Sequence, residues 1–136
     1  MDGLHGWDAG RTDFAAVPPW LQVVGGLFVV INGAGTWWTF RENAFAAPVV
    51  KLQQGQRVID TGPYAIVRHP MYASVLFLLV GMPLLLGSWL GLAFAGVLIL
   101  AVAWRSVHEE ATLRAGLDGY DAYAARVRYR FVPLLW

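Results

Sequence analysis

The chain has 136 residues, of which 57% are hydrophobic and 14% charged, against roughly 25% charged in an ordinary soluble domain. Its net charge of +1 is too small to recruit nucleic acid, and the lack of cysteine excludes disulfides, thiolate nucleophiles and cysteine-based metal sites. These numbers predict a single membrane domain over 1–136, with a lipid bilayer as its main partner and no nucleic acid; the helices read below make it all-α, and no metal site is expected.

The opening "MDGLHGWDAG" is acidic and glycine-rich, without the basic start of a secretory signal. From Pro18 to Phe40 no charge occurs, which suffices for one helix across a hydrocarbon core of about 30 Å. A first transmembrane helix is therefore expected over about 18–40, with Pro18 and Pro19 at its start, where proline is tolerated. Residues 41–69 carry charges, Pro, Gly and Gln, and read as a connecting segment outside the bilayer core.

From Pro70 to Trp104 charge disappears again. The run is too long for one span, and "LLLGSWLG" supplies a break: Gly87 suits a helix end and Ser88 a helix N-cap. A tight hairpin is predicted, with helices over 70–86 and 89–115 and Pro83 disturbing the end of the first. A helical tail follows. Trp20 and Trp89 then fall at one membrane face, and Trp37, Trp38 and Trp104 at the other. Trp89 and Trp104 are separated by about 22 Å at helical rise, as aromatic belts allow.

Lys and Arg are absent from the hairpin turn, and the N-terminal stretch carries one, Arg11. They gather in 41–69 and beyond Arg105. The positive-inside rule then puts the N-terminus outside, and segment 41–69 and the tail in the cytoplasm, consistent with three spans. The tail cations Arg126, Arg128 and Arg130 are expected on anionic headgroups.

All candidate chemistry falls at one end of this bundle. "GPYAIVRHPMYAS" (Gly62–Ser74) sets a Gly-Pro turn, Arg68, His69, a second proline and two tyrosines against the second span. Arg105, His108, Glu109 and Glu110 follow the third, and a hairpin brings the two ends together. Pro70 at the first helical position leaves a helix N-terminus suited to an anionic group, and the glutamates suit hydroxyls or an ammonium. The plainer readings are an Arg105–Glu109 pair on one helix face and His69 as a helix cap.

"GPYAIVRHPMY", then a hairpin, then "RSVHEEATL" and "YDAYAARVRYRFVP", resembles the isoprenylcysteine carboxyl methyltransferase family. It is also similar to the phospholipid N-methyltransferases of the same broad group. The likeness runs from about Arg41 to Pro133. It implies an integral-membrane methyltransferase that uses S-adenosylmethionine on a lipidic or amphipathic acceptor. By position, Gly62 and Tyr64 match the turn that shapes the cofactor site. Val58 and Ile59 match the apolar pair before it, His69, Pro70 and Tyr72 match H-P-x-Y contacts, and Glu109 matches the cofactor-binding glutamate. Gln53 matches an upstream glutamine, and Arg105 an arginine linked to substrate. Glu110, or His108, is a candidate proton sink for an amine acceptor.

The sequence departs from that family in places. Gln56 stands where the eukaryotic enzyme has histidine, and "RAGLDGY" lacks the aromatic-Gly pair before the first tail tyrosine. Relatives usually have further spans ahead of this region, so a fragment and a minimal version completed as a homo-oligomer both stay open. Two other functions stay open as well: a sterol-type reductase using a nicotinamide cofactor, which shares R-H-P and a tyrosine-rich tail, and a non-catalytic membrane module.

Overall fold

The computed structural model describes residues 16–43, 45, 54–133 and 135–136. Among them there is no strand. Helix α1 spans Pro19–Glu42, α2 Pro70–Leu86, α3 Trp89–Gly116 and α4 Tyr120–Arg126, and a short 3-10 turn covers Gly62–Ala65. The predicted limits of α2 are met, and α3 runs one residue past its prediction. Helix α1 ends two residues later than the loss of apolar character suggested, so Arg41 and Glu42 form its last turn.

Local chemistry accounts for these limits. Pro19 occupies the first turn of α1, where its missing N–H is not needed, and Pro18 O accepts from the N–H groups of Leu21 and Gln22 at 3.0 and 3.2 Å. Helix α2 runs three residues beyond Pro83 and closes on Gly87, which is left-handed (φ 74°). The N–H groups of Gly87 and Ser88 then cap the carbonyls of Leu84 and Pro83. Ser88 Oγ accepts from Gly91 N at 2.9 Å and starts α3. The hairpin thus turns within two residues.

Helices α1 and α2 run antiparallel in close contact. A Cβ on Gly25 would fall 2.5 Å from Leu85 N and 2.6 Å from Gly81 O, so the backbones touch where neither residue has a side chain. Phe28 meets Phe77 edge to face one turn further on, with ring centroids 5.1 Å apart.

The outer surfaces of these helices are apolar. Val30 is 68% exposed and Leu100 72%, with Leu27, Phe94 and Val97 similarly open. A water-soluble domain would bury such residues in a core, whereas here the core is slight and the apolar side chains point outward. Helices α1 and α3 are long and apolar enough to cross a membrane. Helix α2 is apolar but has 17 residues, about 26 Å at helical rise, because Pro70 and Gly87 fix its ends. Among the described residues α1 and α3 meet the length of a span, and α2, though apolar, is shorter. The five tryptophans predicted at membrane edges are all exposed.

Candidate functional site

The hairpin places the start of α2 beside the C-terminal third of α3. The site begins with the loop that enters α2. Gly62 opens the 3-10 turn at φ 61°, and a Cβ there would strike the Glu42 side chain at 2.5 Å. Thr61 Oγ1 donates to Glu42 Oε2 at 2.9 Å, and Asn43 Nδ2 donates to the Tyr64 hydroxyl at 2.9 Å. The end of α1 therefore clasps the Gly-Pro-Tyr turn. Burial pushes the Tyr64 phenol above its ordinary pKa against the Asn43 hydrogen bond, and the Glu109 charge adds to the rise.

Glu110 forms the centre of a buried ion cluster. It is 3% exposed, and its Oε1 lies 2.9 Å from His69 Nε2 and 3.2 Å from Arg68 Nε. Arg130 Nε donates to Oε2 at 3.2 Å. A carboxylate this deep is tolerable only because cations and hydrogen bonds surround it. His69 precedes Pro70 as the N-cap residue of α2, but its side chain makes no capping bond and turns to Glu110 instead.

One helical turn further into α2, the Tyr72 hydroxyl donates to Glu109 Oε2 at 2.6 Å and accepts from Arg105 Nε at 3.0 Å. A relay of guanidinium, phenol and carboxylate thus joins α2 to α3. Tyr72 stacks on His69 with centroids 5.5 Å apart, and Phe131 stands edge-on to both rings at 5.8 and 6.0 Å.

The tail closes the site. Arg68 N donates to Tyr129 O at 2.8 Å and His69 N to Arg130 O at 2.9 Å, a backbone pairing that seats Phe131 and Arg130. Arg130 is 24% exposed and turned inward, not onto headgroups as its place in a cationic tail suggested. Tyr123 Oη donates to Tyr64 O at 2.7 Å. Tyr120, Tyr123 and Ala124 form a small core with Val58, Tyr64, Leu113, Leu117 and Val127. Two buried donors in this region lack a hydrogen-bond partner: Arg68 Nε, close to Glu110 but poorly angled, and the Tyr120 hydroxyl.

His69, Tyr72, Arg105, Glu109 and Glu110 are thus brought together, with Pro70 opening the helix and Val58 and Tyr64 on the neighbouring small core. Ile59 is half-buried on the stretch leading to the turn, and His108 is exposed against Trp104. Gln53 lies outside the described residues. Sequence reasoning gave no role to Arg68 or Phe131 and set Arg130 on lipid headgroups. Only the cationic spacing of "VRYRF" hinted at a partner for Glu110, and it fits a lipid-facing tail equally well.

The sequence model of the phospholipid methyltransferase family matches residues 20–116, well over half of the chain. Among individual proteins of curated function, none matches. The matched family is the phospholipid one; the isoprenylcysteine branch, which the motifs also resemble, is not what matched. A methyltransferase family does not favour the reductase or the non-catalytic module. With α1 from Trp20 onward, the Gly-Pro-Tyr turn and the Glu109–Glu110 pair inside the match, this chain belongs to the phospholipid methyltransferase family.

Proposed function

We propose that this chain transfers a methyl group from S-adenosylmethionine to the polar head of a phospholipid-like amphiphile at the membrane face. The observation that carries the reading is the Arg105–Tyr72–Glu109 relay. It puts a cation and a half-buried carboxylate at the rim of an apolar helix bundle, where a polar donor and a lipid head can meet.

The residues fit such a donor. Glu109, half-buried and held by Tyr72, suits a cation, as does the face of the Tyr64 ring. Val58, Ile59, Gly62, Tyr64, His69, Pro70, Tyr72 and Glu109 would hold it, with Gln53 from the preceding segment. When bound, it supplies an already activated methyl group on a sulfonium. The protein's work is then alignment and exclusion of water. Tyr72 fixes the Glu109 carboxylate, and Arg105 lies where a lipid phosphate or carboxylate would dock. Glu110 is held by Arg68, Arg130 and His69, so its part is to orient His69 and the tail rather than to take a proton from an amine acceptor.

The placement of Lys and Arg supports a cytoplasmic mouth and an external N-terminus, with α2 completing a three-helix, multi-pass arrangement. A bundle this small also supports self-association. Calorimetric titration of the detergent-solubilised protein with S-adenosylmethionine tests the reading. Saturable binding is expected, with Arg105→Ala impairing acceptor use more than donor binding. A folded protein with no heat of binding would contradict it.

A further inference from the structure

Buried polar groups in folded proteins nearly always have a partner, so the Tyr120 hydroxyl is an exception that calls for a cause. Tyr120 is 4% exposed. Its ring packs in the small core that includes Val58 and Tyr64, two residues assigned above to the donor. Its neighbour Tyr123, in the same core, has its hydroxyl on Tyr64 O at 2.7 Å. Two tyrosines three residues apart, equally buried, therefore differ in one respect: one hydroxyl is spent on the fold and the other is not.

The chemistry around the unspent hydroxyl limits what it serves. Burial first, and then the charge of Glu110, push its pKa well up, so the group is a hydrogen-bond donor at neutral pH. Its unspent proton calls for an acceptor, which an ammonium is not. The field at Tyr120 is mixed, with Glu110 and Glu109 opposed by Arg68 and Arg114, so a neutral acceptor such as a ring nitrogen or a ribose hydroxyl suits it. Val58, Tyr64, Leu113 and Leu117 pack against the cluster that holds the ring, an apolar and aromatic surround of the kind a purine nucleoside prefers.

We infer that Tyr120 is a further binding residue of the donor pocket, its phenol O–H bonding an acceptor atom of the nucleoside half of the methyl donor. This rests on the methyltransferase reading above and adds a residue beyond the matched 20–116. It gives a use to the one of the two buried phenols in the tail helix that the fold leaves unbonded.

The test compares wild type, Tyr120→Phe and Tyr123→Phe in thermal unfolding and in equilibrium binding of S-adenosylhomocysteine and 5′-methylthioadenosine, which lacks the amino-acid half. Tyr120→Phe should leave the ligand-free protein as stable as wild type or more so, because an unsatisfied hydroxyl is removed. It should weaken both ligands by the same factor, about five- to tenfold. Tyr123→Phe should instead lower the stability of the ligand-free protein. Unchanged affinity of Tyr120→Phe for both ligands would overturn the inference while leaving the methyltransferase reading intact. So would a loss of ligand-free stability matching that of Tyr123→Phe, or a loss confined to S-adenosylhomocysteine. If wild type binds neither ligand, the methyltransferase reading itself fails and this inference falls with it.

Discussion

The paired helices α1 and α2 and the polar mouth at their end are held by opposite means. In the pair, contact depends on what is missing: at Gly25 and Gly81 there is no side chain, and backbone meets backbone. In the mouth, contact depends on what is buried: one carboxylate, Glu110, gathers His69, Arg68 and Arg130. Lipid offers little hydrophobic reward for helix association, so close van der Waals approach must do it. At the mouth, water competes for every polar group, and only a dense, satisfied network fixes a geometry. The first region therefore sets the shape, and the second sets the site.

Substitutions separate the two. The largest effect is expected from Gly25→Leu. Its Cβ alone would overlap Leu85 N and Gly81 O, so α1 and α2 part and folded protein is lost, as size-exclusion chromatography in detergent would show. Glu110→Gln comes next. It strands buried cations and should destabilise by about 3 kcal/mol, read from chemical unfolding in micelles, with donor binding lost in parallel. Tyr72→Phe should keep the unfolding midpoint near wild type and weaken donor binding about tenfold, because Glu109 and Arg105 lose their common partner. The smallest effect belongs to Arg126→Ala. Its pair with Asp60 is exposed and 3.5 Å long, and neither stability nor turnover should move measurably.

The same contrast explains what was legible in the sequence. Solvent dictates the bundle residue by residue, so charge-free runs, Pro70 and the Gly87–Ser88 break fixed α2 and the start of α3 without any structure. The end of α1 was misjudged by two residues because Arg41 and Glu42 were read as loop; helix propensity and the contact with Thr61 keep them helical. Helix α2 was legible in its limits and in its apolar character, and at 17 residues it is the shortest of the three apolar helices. At the mouth, the meeting of the α2 start with Glu109 and Glu110 followed from hairpin logic. The tail's return did not. Arg130 reaches Glu110 through a backbone pairing with residues 68 and 69 that no periodicity announces. Tyr120 and Tyr123 stood in a motif, but their different partners depend on three-dimensional neighbours.

The central claim is methyl transfer at this mouth. The most direct measurement is incorporation of radiolabelled methyl from S-adenosylmethionine into lipid, with protein reconstituted in vesicles containing phosphatidylethanolamine, comparing wild type with Glu109→Gln. The account predicts label in the lipid fraction for wild type and a loss of at least tenfold for the variant, which should stay folded. Equal labelling by both proteins, or none by a folded wild type that binds the donor, would contradict it.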